Sequence, residues 1–253
     1  MPAPILLITG GTRGIGAATA RLAAARGYAV AVNYRANTAR AEALVGEIAG
    51  AGGTAVAIQA DVADEAEVVR LFGEVDRRLG VLDALVNNAA IVDRQGRVAE
   101  IDTARLNRMF ATNVNGAFLC AREAVRRMST ARAWRGGAIV NVSSAAVRHG
   151  SPNEYVHYAA SKAAIDALTI GLAKEVAEEV AEEGIRVNAV RPGVVHTEMH
   201  ASGGEPDRIA RIAPSVPMKR GGQPEEIAHV ILWLLSAEAS YATGAILDVS
   251  GGR

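Results

Sequence analysis

The chain has a single cysteine, Cys120, in 253 residues. An intrachain disulfide and a thiolate metal cluster are both excluded, and a reducing cytoplasm is the simplest compartment. Net charge is missing as well, because 27 basic and 27 acidic side chains cancel. That balance gives no electrostatic case for nucleic acid or an anionic membrane as the main partner. The opening "MPAPILLITGG" lacks a basic stretch, and its apolar run is far too short to span a bilayer before glycines end it. It reads as a buried strand with no targeting signal. There is no linker-like Pro/Gly/Ser tract, internal repeat or low-complexity block. The five histidines show no metal-ligand spacing and no clear triad context, so no metal is expected, and no G-x-S-x-G elbow occurs.

Half of the residues are hydrophobic, enough to bury a large core, and one domain over residues 1–253 is expected. Short β-branched runs alternate with long Ala-rich helical patterns. The runs are "ILLIT" (5–9), "YAVAVNY" (28–34), "TAVAIQA" (54–60), "LDALVN" (82–87), "AIVNV" (138–142), "IRVNAV" (185–190) and "AILDV" (245–249). Most are nearly continuous apolar stretches, the mark of strands buried on both faces of a parallel sheet. Between them the spacing predicts helices over Ile15–Arg26, Thr38–Ala51, Glu65–Leu79, Arg105–Met128, Tyr155–Glu182 and Pro224–Leu235. Right-handed crossovers then give an α/β fold, a doubly wound seven-stranded parallel sheet of Rossmann type with helices on both faces. The segment "HASGGEPD" (200–207) breaks the pattern with turn residues and is the best candidate for a mobile loop.

The first strand runs into "TGGTRGIG", where Gly10, Gly14 and Gly16 open a helix. The G-x-G-x-x-G fingerprint fails because Thr19 takes the third place, and no Gly-Lys follows to make a P-loop. What remains, G-x-x-x-G-x-G on a strand-to-helix turn, lets backbone and helix N-terminus approach a pyrophosphate, and this is favoured over the alternative of a tight turn without a ligand. The second strand ends in Asn33, Tyr34 and Arg35, without the carboxylate that accepts ribose hydroxyls in NAD sites. Arg13 and Arg35 can instead bracket a 2′-phosphate, which favours NADP(H) over NAD(H).

Tyr158 and Lys162 are four apart in a helical pattern and share one face. An adjacent ammonium favours the phenolate, so the pair can serve as acid or base, though such a pair is commonly an ordinary helix contact. Tyr155 sits about 10 Å along the axis from Lys162, too far to pair directly. His157 points about 100° away from Tyr158, where packing or solvent is its plainer role.

Glycine loop, "NNAA", "NVSS", "YAASK" and "RPG", in this order, resemble the short-chain dehydrogenase/reductase family over essentially the whole chain. The resemblance implies an active site of Asn113, Ser144, Tyr158 and Lys162. Tyr158 would exchange a proton with a carbonyl or alcohol oxygen while nicotinamide exchanges hydride. Lys162 would lower the phenol pKa and bind the nicotinamide ribose. Ser144 would hold the substrate oxygen, and Asn113 would support a water-linked relay to Lys162. For the cofactor it implies the loop residues Gly10, Thr12, Arg13, Gly14, Ile15 and Gly16, with Asn33, Tyr34 and Arg35 at the strand end. Asp61 and Val62 would flank the adenine and Asn87 and Ala89 the adjoining ribose. Pro192, Gly193, Val195 and Thr197 would lie at the carboxamide. A homotetramer, or a homodimer, is implied by the C-terminal stretch.

Two departures stand out. Ser144 and Tyr158 are one residue further apart than is common, which keeps Ser143 as a rival, and Ala90 replaces the glycine of the N-N-A-G motif. The favoured reading is an oxidoreductase acting on a carbonyl or secondary alcohol, similar to 3-oxoacyl-carrier-protein reductases and sugar dehydrogenases. The rival is a catalytically silent module that senses NADP(H) or scaffolds partners, which would be expected to lose Tyr158 or Lys162. The substrate pocket is expected near Ile91–Arg97, Ala145–His157 and His196–Pro217, where Arg94, Arg148, His149, His196 and His200 could favour a polar or anionic substrate.

Overall fold

Seven strands form one parallel sheet: β1 (Ile5–Ile8), β2 (Ala29–Tyr34), β3 (Thr54–Gln59), β4 (Ala84–Asn87), β5 (Gly137–Val142), β6 (Ile185–Pro192) and β7 (Ile246–Val249). These come from a computed structural model that describes residues 2–129, 135–178 and 184–253. The spatial order is β3-β2-β1-β4-β5-β6-β7, with every pairing parallel. The order reverses between β1 and β4, and a doubly wound sheet opens a crevice at such a switch point, at the carboxyl ends of its strands.

The main helices are α1 (Gly14–Ala25), α2 (Thr38–Gly50), α3 (Glu65–Arg78), α4 (Thr103–Phe110), α5 (Gly116–Met128), α7 (Val156–Glu178) and α10 (Pro224–Leu235). Three short ones, α6 (Ala146–His149), α8 (Met199–Ser202) and α9 (Arg208–Ile212), border the crevice. Strand residues alternate faces. Leu6, Ile8, Val30 and Val32 pack with Ala20, Leu44, Ile227 and Ile231 of α1, α2 and α10. Ile5, Leu7, Ala29 and Ala31 pack with Phe72, Cys120 and Val176 of α3, α5 and α7 on the other face. Burial of both faces is why the strands read as unbroken apolar runs.

Helix starts follow local chemistry. Asn37, Asp64 and Asp102 each accept the backbone N–H three residues on, capping α2, α3 and α4. The expected helix over Arg105–Met128 begins earlier, at Thr103, because Asp102 caps it there, and a π-turn over Ala111–Asn115 divides it. The expected Tyr155–Glu182 helix starts one residue later; positions 179–182 lie outside the described residues. The segment 200–207 is not a plain loop: it holds the end of α8 and the turn into α9.

Candidate active site

The crevice encloses about 420 Å³ and runs from the glycine turn to α9. At one end, Gly10 and Gly14 have φ of +59° and +50°, a region side chains rarely adopt. A Cβ at Gly10 would sit 2.9 Å from the Ala89 Cα. The turn is pinned from both sides. Asn33 Oδ1 accepts the Gly10 N–H at 3.1 Å, while the Asn88 amide donates to the carbonyls of Thr9 and Gly10 at 2.9 and 3.0 Å. Helix α1 follows Arg13 with no side-chain cap, unlike α2, α3 and α4, and it carries no acid in its first turn. Its first amides are left to the crevice, an arrangement suited to a phosphate.

Of the residues expected around a dinucleotide, Gly10, Thr12, Arg13, Gly14, Ile15, Asn33, Tyr34, Arg35, Asp61, Val62, Ala89, Pro192, Gly193, Val195 and Thr197 line the crevice. Gly16 does not; it faces Asn88, whose Nδ2 would be 2.7 Å from an added Cβ. Asn87 is also turned away. It ends β4 with its side chain in the interior, donating to the Ala117 carbonyl at 3.2 Å and to Asn141 Oδ1 at 3.0 Å. Its neighbour Asn88 faces the crevice instead, as alternation along a strand requires. At the adenosine end Arg35 stands 4.0 Å from Asp61, and Arg40 pairs with Glu198 at 3.2 Å. Arg13 reaches across to Ser202 Oγ at 3.3 Å.

Toward the middle, β5 and α7 bring Ser144, Tyr158 and Lys162 to the same wall. Lys162 is buried and donates from Nζ to the Val142 carbonyl at 2.8 Å, with Nζ 5.8 Å from the Tyr158 ring centroid. Burial pulls its pKa down to about 8, against the opposing charge of Asp166. Burial pushes the Tyr158 phenol up to about 12, and a hydrogen bond with Ser144 works against that rise. The helix spacing led us to expect a phenol lowered by its lysine. Desolvation dominates instead, opposed by Ser144, and the ammonium is engaged with β5.

Ser143, the rival serine, also lines the crevice, but its hydroxyl donates to the Lys162 carbonyl at 3.1 Å and ties β5 to α7. Asn113 lies within the π-turn, buried and off the crevice. Its amide accepts the Ile91 N–H at 2.8 Å and donates to the Ile91 carbonyl and to Ser161 Oγ. A relay from this residue would have to run through its main chain. His157 is buried away from the crevice, and both ring nitrogens are without a partner among the described residues.

At the far end Ile91, Val92, His149, Tyr155, Met199 and His200 line the wall. Arg94, Arg148 and His196, expected there, do not; Arg148 is drawn off by Asp248 at 2.5 Å. Arg208 and Arg253 take their place. Neither carries a local motif that would single it out. Among the described residues, no group of three or more histidine, cysteine or acidic side chains is placed to hold a metal.

Comparison with known proteins agrees with this geometry. A family model described as enoyl-(acyl carrier protein) reductase matches residues 10–253. The oxidoreductase YgfF of Escherichia coli, itself uncharacterized, is 55% identical over 249 residues, spanning 98% of this chain and 99% of that one. The 3-oxoacyl-[acyl-carrier-protein] reductase FabG of Staphylococcus aureus is 39% identical over 97% of this chain and 96% of its own. Among solved structures, a 3-ketoacyl-(acyl-carrier-protein) reductase from Brucella melitensis complexed with NADH superposes with a TM-score of 0.89 at 30% identity, covering 100% and 98% of the two chains. A Serratia marcescens short-chain dehydrogenase/reductase gives 0.87 at 36%, covering 99% and 98%.

Proposed function

The chain belongs to the short-chain dehydrogenase/reductase family of oxidoreductases, and from that premise we propose that it is an NADP(H)-dependent enzyme acting on a carbonyl or secondary alcohol, with Tyr158 as general acid and base. The observation that carries the proposal is the convergence of Ser144, Tyr158 and Lys162 on the wall of a crevice whose other end is an uncapped helix start behind a glycine turn. A dinucleotide fits those residues: the turn has no room for a Cβ, and the first amides of α1 face the crevice. When bound, the nicotinamide supplies or accepts the hydride.

The chain's own groups handle the proton. Tyr158, held protonated by burial, donates its hydroxyl proton to the substrate oxygen in reduction and takes one back in oxidation. Ser144 holds that oxygen beside the phenol. Lys162 fixes the spacing of β5 and α7 and keeps a positive charge near the phenolate when it forms. Gly10, Thr12, Arg13, Gly14 and Ile15 hold the phosphates, and Pro192, Gly193, Val195 and Thr197 the carboxamide. The preference for NADP(H) rests on Arg13, Arg35 and Arg40 lining the adenosine end, where Asp61 stands 4.0 Å from Arg35.

We take residues 1–253 as one domain working in the cytoplasm; no helix among the described residues is long and apolar enough to cross a membrane. Self-association as a tetramer is supported by large apolar side chains left exposed on α4, α5, α7 and α10, namely Phe110, Phe118, Ile170 and Trp233. The test is oxidation of NADPH and NADH against ketoacyl thioesters, diketones and aldoses, by wild type and Tyr158→Phe. NADPH-dependent turnover lost in the variant, with NADPH binding retained, is the expected result. Equal turnover by the variant would overturn the role given to Tyr158.

A further inference from the structure

Arg208 and Arg253 line the crevice, and the ion-pair cluster behind Arg208 leaves Arg253 out. Arg208 donates to Glu154 Oε2 at 2.5 Å and to Glu205 Oε2 at 3.1 Å. Arg211 donates to Glu154 Oε1 at 2.7 Å, to Glu205 Oε2 at 2.8 Å and to Glu205 Oε1. Gln95 adds a further bond to Glu205. Every carboxylate oxygen of the two glutamates is therefore taken by Arg208 or Arg211. Arg253 lines the crevice as Arg208 does, and burial, then the charge of Arg208, hold its guanidinium below its usual pKa while Glu154 opposes them. Among the described residues its guanidinium has no carboxylate within 4.0 Å and no hydrogen-bond acceptor. It is half-buried and lines the crevice.

Arg208 and Arg211 thus use up both glutamate carboxylates, and the Arg253 guanidinium, without a partner among the described residues, lines the crevice together with Tyr155 and Tyr158. Arg208 locates the cluster, since its guanidinium lies 4.8 Å over the Tyr155 ring, whose centroid is 6.5 Å from that of Tyr158. His149 lines the same wall. Its Nδ1 is 3.2 Å from the Ser151 N–H, which it accepts, so in the neutral ring the proton is on Nε2 and a second donor is supplied. Burial, then Arg253 and Arg208, hold this imidazole below its usual pKa and favour that neutral form.

We propose that Arg253, with His149 beside it, receives an oxyanion group, carboxylate or phosphate, carried by the carbonyl or alcohol substrate. The proposal rests on the oxidoreductase reading above and narrows its substrate class. A guanidinium presents a planar fork that two oxyanion oxygens match, and burying it unpaired is costly, so a charged substrate offsets what a neutral one leaves standing. The cofactor phosphates are assigned to the other end of the crevice, at the glycine turn.

Matched pairs that differ in one charge test this: levulinate against methyl levulinate, and dihydroxyacetone phosphate against dihydroxyacetone. We expect wild type to favour the charged member of at least one pair. Arg253→Gln should raise KM for that member about 10- to 100-fold, leave kcat and the neutral member nearly unchanged, and be partly rescued by Arg253→Lys. The two pairs decide between carboxylate and phosphate. Equal efficiency within both pairs, or an equal loss on charged and neutral members in Arg253→Gln, overturns the proposal. Calorimetric titration of wild type and Arg253→Gln with levulinate and dihydroxyacetone phosphate needs no turnover. Binding that depends on Arg253 upholds the anion site even if the oxidoreductase reading fails, and its absence in a chain that turns over neither pair overturns it.

Discussion

The ammonium of Lys162 donates a 2.8 Å hydrogen bond to the carbonyl of Val142, immediately before the Ser143–Ser144 pair, so one buried charge joins the second turn of α7 to the end of β5. Burial lowers the pKa of that charge from 10.5 to about 8. Between these values the unfolded chain holds a proton that the folded chain has released, so stability rises with pH across the window. The penalty of a buried charge is in full force below pH 8. Urea unfolding of wild type and Lys162→Met, compared from about pH 8 to 10.5, should show wild type gaining on the variant as pH rises. A constant difference would mean that the amine titrates at its ordinary value.

Ser143 and Ser144 are adjacent, yet they are expected to fail in different ways. Ser143 spends its hydroxyl on the Lys162 carbonyl inside the fold, and Ser144 keeps its hydroxyl beside the Tyr158 phenol. Ser144→Ala should lower kcat by roughly 10²- to 10⁴-fold with stability little changed. Ser143→Ala should cost about 1 kcal/mol of stability and far less activity. Steady-state kinetics with melting curves separate the two, and the reverse pattern would restore Ser143 as the rival.

The sheet was the most legible feature, because burial on both faces writes strands as continuous β-branched runs that no helix period explains. Polar placement was less legible. The "NNAA" motif is plain in the sequence, but which asparagine faces the crevice depends on where β4 ends, and one residue of register exchanges Asn87 for Asn88. The π-turn at Ala111–Asn115 left no trace, since the apolar pattern passes through it. The stretch that holds Arg208 was expected at the pocket, but which of its side chains enters depends on tertiary packing, and nothing in the local spacing singles out Arg208 or Arg253.

The placement of Asn87 has its own consequence. Its amide, Asn141 and Thr169 form a buried polar chain, Asn141 Nδ2 donating to Thr169 Oγ1 at 2.9 Å. Asn87→Ala leaves Asn141 Oδ1 and the Ala117 carbonyl short of a donor and should cost about 1–3 kcal/mol of stability. At a temperature where the variant stays folded, the KM for NADPH should be nearly that of wild type. A large rise in that KM would return Asn87 to the cofactor site.

Cofactor choice should follow the arginines at the adenosine end. Charge-assisted hydrogen bonds are worth about 1.5–3 kcal/mol each, so Arg35→Ala should raise the KM for NADPH roughly tenfold or more and leave NADH nearly unaffected. Arg13→Ala should act in the same direction, with an added loss because Arg13 also holds Ser202 across the crevice. Parallel kinetics with the two nicotinamides give the answer. Equal losses on both would assign these arginines to the shared pyrophosphate and remove the basis for an NADP(H) preference.

Gly16 tests whether the cradle itself binds the dinucleotide, because it touches the frame of the turn and not the crevice. A Cβ there would meet Asn88 Nδ2 at 2.7 Å, the Gly10 carbonyl at 2.8 Å and the Gly11 Cα at 2.9 Å. The first two belong to one hydrogen bond, Asn88 to Gly10, so neither can yield without loosening the turn that α1 grows from. Overpacking of this kind costs about 1–3 kcal/mol, and Gly16→Ala should lower stability by that amount while weakening binding of NADPH and NADH alike. Fluorescence titration with both nicotinamides, set beside urea unfolding, distinguishes the cases. If stability falls but both affinities are kept, the turn adapts and the phosphate is held elsewhere; if both fall together, the amides of α1 are its site.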